Sequence, residues 1–331
     1  MSRNVRGLIC VCAIAFAMLL ALFPFLVEGP TYQRVIEEII PKKETTIIFA
    51  GDMMFDRSIR VAMQEHGDEH VFSCVGTMLD GADLVVANLE GPVTPYRSVS
   101  VGSGVNTPEN TTFTFPTSTA DFLYRHNIRV VNLGNNHIMN FGRDGVEQTK
   151  KYLDAAGVKY FGDPDIAEAE RALRMDINGI PFSFVNWSDW TPVGNPSDSN
   201  GAGKQNSTVE QIGKERAAGR VVVVYTHWGE EYIPPIQRVR DLAHSFVDAG
   251  AAIDIGSHPH VIQEVEEYNG KKIYYSLGNF IFDQYFRDDV RKGLVVKVVF
   301  DEKGVASTED TYTWLDRERT TCPFEDRLIE S

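Results

Sequence analysis

The chain lacks a basic excess. Of its 331 residues, 32 are Lys or Arg and 46 are Asp or Glu, which leaves a formal net charge of -14. Binding a phosphate backbone needs a basic face, so nucleic acid is excluded as the default partner. Cysteine is scarce as well: there are four, and none form a Cys-x-x-Cys pair. That excludes thiolate zinc sites and dithiol redox chemistry. Two of them, Cys10 and Cys12, fall inside an apolar run. Cys74 and Cys322 remain, either as a disulfide in an oxidising compartment or as one buried thiol and one tail thiol. No repeat of fixed period occurs, which excludes a solenoid. Histidine is limited to eight residues, so any clustering of imidazoles carries weight.

Long hydrophobic runs are also few. Arg3 and Arg6 precede one uncharged stretch, residues 7–27, and about 20 residues of helix cross a ~30 Å hydrocarbon core. The flanking arginines place the amino terminus inside and the bulk of the chain outside. We read residues 1–27 as a membrane signal-anchor; a cleaved signal peptide, leaving a secreted protein, is the alternative. Residues 28–44 then form a stalk, 45–315 one globular domain, and 316–331 a tail.

What is present from residue 45 onward is an α/β pattern. Short β-branched runs alternate with helix-like segments at 57–65, 73–79, 119–126, 142–155, 208–218 and 239–249. Continuously apolar strands of this kind predict a mostly parallel central sheet buried on both faces. Asn178-Gly179 and Asn269-Gly270 each separate two strand-like runs and predict hairpins. Gly157 predicts a helix C-cap. Strand-only patterning after residue 290 predicts a second, more antiparallel sheet packed on the first, with helices outside. Residues 95–116 and 188–207 read as loops.

The strand ends hold the chemistry. An apolar run at 251–255 leads into Gly256-Ser257-His258-Pro259-His260. On extended backbone, residues two apart point to the same side, which would put two imidazoles side by side. Four other runs end similarly, at Gly51-Asp52, Asn88-Leu89-Glu90, Asn135-Asn136-His137 and Thr226-His227. Ligands bind at the carboxyl ends of strands in such sheets, so these groups should converge. Together Asp, Glu, Asn and His form a borderline-hard donor set suited to Zn, Mn or Fe. Glu230 or Glu231 could orient His227 from behind, and Trp190 and Trp228 could stack on a ligand. His66, His70, His126 and His244 lie away from strand ends and are assigned to surface or packing.

These motifs, with Ser276-Leu277-Gly278-Asn279-Phe280-Ile281-Phe282-Asp283 as the last, resemble in order those of the CapA-type family of poly-γ-glutamate capsule synthesis proteins. That family is similar to the calcineurin-like metallophosphoesterases, and the resemblance covers roughly residues 45–284. It implies one or two divalent cations, Mn, Fe or Zn. Asp52 and His260 would hold the first, Asn136, His227 and His258 the second, and Glu90 would bridge them. His137 would be the general acid. Arg57 would grip a substrate oxyanion by a bidentate contact, and Asn279 would line the cleft. Three positions depart from the pattern. Met54 stands where the superfamily has a ligand His, Glu90 where it has a bridging Asp, and Asn140 where an Asp is common.

The expected function is a membrane-tethered, extracytoplasmic capsule biosynthesis protein with a metal-dependent hydrolase site. Its partners would be capsule synthesis or export subunits and an anionic envelope polymer. The alternatives are a non-catalytic assembly or polymer-binding partner, and an extracellular phosphoesterase unrelated to capsule.

Overall fold

A computed structural model describes residues 43–166, 172–190 and 201–324. The expected signal-anchor, nearly all of the expected stalk, part of the segment read as a loop at 188–207 and the end of the expected tail lie outside the described residues; residues 201–207 of that segment are helical, not loop. Among the described residues no helix is long and apolar enough to cross a membrane.

Two mixed sheets face each other. The first runs β14 (Thr321–Pro323), β13 (Gly304–Leu315), β12 (Lys292–Asp301), β1 (Thr45–Met53), β2 (Leu84–Leu89), β3 (Ile128–Asn132), β4 (Lys159–Phe161), with β11 (Asn279–Ile281) added to the end of β1. The second runs β5 (Leu173–Ile177), β6 (Ile180–Ser188), β7 (Val221–His227), β8 (Ile253–Ser257), β10 (Lys271–Tyr274), β9 (Val265–Tyr268). The first sheet is antiparallel from β14 to β1 and parallel from β1 to β4, whereas the second has a parallel centre and antiparallel margins.

The late strands thus differ from the expectation. They form no sheet of their own; β12 pairs antiparallel with β1 and extends the first sheet. The reason is burial. Leu294, Val296, Val298 and Phe300 continue the inward row of Ile47 and Phe49, and both rows meet the second sheet. Opposite them stand Phe182, Phe184, Val223, Tyr225, Ile253 and Ile255.

Alternate residues of the same strands point outward to helices, which explains the unbroken apolar runs. Ile48, Val85 and Val131 meet α1 (Arg57–His66), α2 (Gly76–Leu79), α3 (Thr119–Arg125) and α4 (Gly142–Ala156) in an outer core. Val222 and Val224 meet α6 (Gln237–Ala249) in another. On α6 the buried residues Val239, Leu242, Ala243, Phe246 and Val247 follow helical spacing and form one stripe. A further helix, α5 (Gly201–Ala217), lies beside it. The order is helix, sheet, sheet, helix.

Both Asn-Gly hairpins form. Asn178 (φ 53°) and Gly179 (φ 78°) join β5 to β6, and Asn269 (φ 49°) and Gly270 (φ 70°) join β10 to β9. Two positive φ values match the strand twist in a two-residue turn. Gly157 (φ 80°) caps α4 as expected. Cys74 and Cys322 form a disulfide that ties the segment before α2 to β14.

Candidate metal centre

Strand register sets the floor of the site. At the carboxyl end of the first sheet, Asn279, Asp52, Asn88 and Asn132 lie opposite one another on β11, β1, β2 and β3. In the second sheet His227 of β7 lies opposite Ser257 of β8. The two rows face each other where the sheets meet. The backbones approach closely here. A Cβ on Gly51 would lie 1.9 Å from the Gly278 carbonyl oxygen, and one on Gly256 would lie 2.0 Å from that of Tyr275. Any larger residue would push β1 or β8 away from its neighbour.

The His-Pro-His segment is a turn and not extended backbone. His258 (φ 97°) and His260 (φ 57°) both have positive φ, a conformation that costs of the order of 1–3 kcal/mol at a non-glycine residue. Bonds from both sides hold the turn. His258 N–H donates to Asp52 Oδ2 at 3.1 Å, and Tyr232 N–H donates to the Pro259 carbonyl at 2.9 Å. As a result the two imidazoles diverge, with ring centres 6.0 Å apart. His258 joins Glu90 and His227 in one group of candidate donors; His260 joins Asp52 and Glu90 in another, each group within 4.8 Å. Glu90 belongs to both.

Hydrogen bonds decide which ring nitrogens face the centre. Asn279 Nδ2 donates to the Val290 carbonyl (2.9 Å) and to Gln284 Oε1 (3.0 Å), so its Oδ1 accepts from His260 Nδ1 at 2.9 Å. Asn140 Oδ1 accepts from Phe113 N–H (2.7 Å) and from His137 Nδ1 (3.1 Å). Ser257 sends its hydroxyl proton to the Thr226 carbonyl (2.7 Å) and lies 3.0 Å from His227 Nδ1. His260 and His137 thus carry a proton on Nδ1 and turn Nε2 inward; His227 also turns Nε2 inward, where it meets Asn136 Oδ1 at 2.9 Å, while Asn88 Nδ2 lies 3.2 Å from its Nδ1. Those three nitrogens lie 3.7 Å (His260), 3.9 Å (His227) and 3.9 Å (His137) from a single atom, Glu90 Oε1.

Nitrogen and oxygen donors from both sheets therefore converge on one point. Both carboxylate oxygens of Glu90, and Nδ1 of His258, are buried without a hydrogen-bond partner. An unpartnered buried charge is costly, and a divalent cation is the species that this donor set would satisfy. The Asn136 amide oxygen, 2.9 Å from His227 Nε2, is placed to join it. The residues present fit one or two such ions.

Electrostatics agree with the geometry. Burial raises the Glu90 carboxyl well above the carboxylate range, and the Asp52 charge adds to it. Burial also raises Asp52, opposed chiefly by His260. The imidazoles move the other way. Burial lowers His137 to about 4 and His258 to about 2, and it takes His227 well below its ordinary value. At neutral pH these rings are uncharged, the form that binds metal.

Residues 46–284 match the family described as bacterial capsule synthesis protein PGA_cap. The chain belongs to that capsule synthesis family. Among its relatives is the PGA biosynthesis protein CapA of Bacillus subtilis (strain 168), 32% identical over 71% of this chain and 63% of the relative. The capsule biosynthesis protein CapA of Bacillus anthracis is 30% identical over 81% of this chain and 68% of the relative. A probable polyglutamine synthesis accessory protein of Mycobacterium tuberculosis (strain ATCC 25618 / H37Rv) is 26% identical over 48% of each chain. The chain spans about two thirds of the length of the two CapA relatives.

Within this family member the six residues expected at the metal, Asp52, Glu90, Asn136, His227, His258 and His260, come together, and His137 stands beside them. Three expectations need correction. Asn279 is fully buried behind His260 and cannot touch a substrate. Arg57 is not a free bidentate grip. One guanidinium nitrogen pairs with Asp283, another leans on Asn110, and the group lies between the Phe113 and Phe282 rings at 5.0 and 5.5 Å. It still lines the cleft of about 750 Å³ beside the centre, with Glu231, Tyr232 and Phe286. Behind His227 stands Ser257, not Glu230 or Glu231. Met54 is turned into the outer core, where its sulfur accepts Asp56 N–H at 3.0 Å. Trp190 packs on His258 with ring centres 4.0 Å apart, whereas Trp228 is core. His244 stacks on Tyr268, and His126 pairs with Glu69.

Sequence reasoning missed the residues that aim the ligands. Ser257 and Asn88 lie inside recognised motifs, and only their register with His227 and Asp52 reveals what they touch.

Proposed function

We propose that this chain is an extracytoplasmic accessory protein of capsule polymer synthesis, tethered through residues 1–27, whose cleft is a metal-dependent hydrolase site. The observation that carries the catalytic part is Glu90: a buried carboxyl group without a hydrogen-bond partner, facing the Nε2 atoms of three imidazoles. Asp52, Glu90, Asn136, His227, His258 and His260 would hold one or two divalent ions of Mn, Fe or Zn. Such ions polarise a substrate oxygen and generate a nucleophile near neutral pH. The anionic substrate would be an envelope polymer such as poly-γ-glutamate, the product that the name of the B. subtilis relative points to. Capsule synthesis or export subunits would be its partners.

The chain's own residues would handle protons and position. His137 is neutral at pH 7 and keeps its proton on Nδ1, held by Asn140. Its Nε2 is therefore the atom that takes up a proton and returns it to the leaving group, in the role of general acid–base. Trp190 and Phe113 pack on His258 and His137 respectively.

A second reading, a polymer-binding or assembly partner without turnover, draws support from Met54 and Arg57. The first removes a donor from one metal position, and the second is committed to Asp283. Metal content and turnover of the detergent-solubilised full chain separate the two. We expect His258→Ala to lose metal, and His137→Ala to keep metal and lose hydrolysis of phosphoesters or polyglutamate. Wild type that binds no Mn, Fe or Zn after reconstitution would eliminate the catalytic reading. An inactive alkaline phosphatase fusion after Glu44 would overturn the topology.

A further inference from the structure

A chain of three buried amides runs from the second sheet to Asp52, and all of its donors point the same way. Asn186 Nδ2 donates to Asn132 Oδ1 (2.9 Å), Asn132 Nδ2 to Asn88 Oδ1 (2.9 Å), and Asn88 Nδ2 to Asp52 Oδ1 (2.8 Å). All four side chains are at least 96% buried: Asp52, Asn88 and Asn132 are 0% exposed and Asn186 4%. The chain crosses from β6 through β3 and β2 to β1, so it spans the space between the sheets.

The direction is imposed by groups that cannot reverse. Around Asn186 Nδ2 are the carbonyls of Trp187 (3.2 Å), Gly134 (3.4 Å) and Tyr225 (3.4 Å). Carbonyls only accept, so the NH₂ end must face them. Asn132 Oδ1 also accepts Gly134 N–H at 3.1 Å, and Asn88 Oδ1 also accepts from Asn135 Nδ2 at 3.2 Å. Flipping Asn88 would set its oxygen against the Asp52 carboxylate. The backbone leaves room for this chain. A Cβ on Gly134 would lie 2.1 Å from Asn186 Oδ1, and one on Gly162 (φ 74°) would lie 2.9 Å from Asn132 Oδ1. Such a one-way series of donors polarises along its length and delivers its positive end to one carboxylate oxygen.

We propose that Asn132 and Asn186 are positioning residues for the metal centre. By fixing the Asn88 amide they hold Asp52 Oδ1 in place and ready the carboxylate for a cation, although neither residue reaches the site. This rests on the metal-site reading above. It also makes ligand geometry depend on the docking of the two sheets, because Asn186 belongs to the second and Asp52 to the first.

The test is manganese affinity, measured by titration calorimetry on the intact protein below its melting range. Asn132→Leu matches the shape and removes the donor to Asn88. Outer-shell changes of this kind cost about 10–100-fold in metal affinity, and that weakening is the expected result. Asn186→Leu, which leaves Asn132 Oδ1 bonded to Gly134 N–H, should weaken manganese less, and it serves if Asn132→Leu does not fold. Val130→Ala, on the same strand and in the core between the sheets, should lower the melting temperature and leave affinity unchanged. Equal affinity losses in Val130→Ala and the amide variants would reduce the chain to a structural role and overturn the proposal. Wild-type affinity in both amide variants would also overturn it. No manganese binding by wild type would remove the site reading itself.

Discussion

Glu90→Gln should change stability with opposite signs in the absence and presence of metal. Glu90 is fully buried, neither oxygen has a partner, and burial and Asp52 raise its pKa well above the ordinary 4.5. For a raised carboxyl, stability is fully present below the unfolded pKa and is lost as pH rises towards the folded one. Each unit of pH above 4.5 costs about 1.4 kcal/mol until the folded group itself ionises. At pH 7 the carboxyl therefore costs the metal-free protein at most about 3.5 kcal/mol. Glutamine has the same shape and no charge, so metal-free Glu90→Gln should be more stable than wild type by about 1–3 kcal/mol at pH 7. In a domain of this size that is roughly 2–10 °C in melting temperature. The advantage should vanish at pH 4. With manganese at a hundred times its dissociation constant, wild type should gain about 2.7 kcal/mol and the variant little. Scanning calorimetry at pH 4 and pH 7, with chelator or manganese, measures all four states. A metal-free variant less stable than wild type at pH 7, or one that keeps the manganese gain, would refute the reasoning.

Three further outcomes follow from individual contacts. Met54→His should not create a metal ligand, because residue 54 points into the outer core; metal content by plasma mass spectrometry should be unchanged and stability about 1–3 kcal/mol lower. Cys322→Ser opens a disulfide that links residues 248 apart; loop-closure entropy sets the loss at about 5 kcal/mol, read as a lower melting temperature that matches reduced wild type. Asp254 is buried on β8 between Val224 and Ile273, with neither oxygen partnered and its pKa raised well above 3.8 by burial. Asp254→Val should stabilise the protein by about 1–3 kcal/mol at pH 7 and by much less at pH 4, as urea titrations at the two values would show.

Much of the fold could be read directly. The unbroken apolar runs at 84–87 and 221–225 required sheets covered on both faces, and the two Asn-Gly pairs required hairpins. The destination of the late strands could not be read. The alternation in β12 shows which residues are buried and says nothing about which strand accepts its hydrogen bonds.

The site divides in the same way. Residue types at the strand ends already pointed to candidate cation donors, because each strand run ends in a carboxylate, amide or imidazole and strand ends in such sheets share one edge. Sequence also showed that Met54 could not serve in a hard site. The arrangement of the donors is visible only in the folded chain. The His258–His260 turn takes positive φ and parts the two rings. Asn140, Asn279 and Ser257 touch His137, His260 and His227 respectively, and an amide chain from the second sheet ends on Asp52. These are contacts between residues 3 to 54 positions apart, and local sequence pattern reports only which side of its own strand or helix a side chain faces. What a side chain meets there depends on the register of strands and the docking of sheets, which are settled by burial over the whole domain.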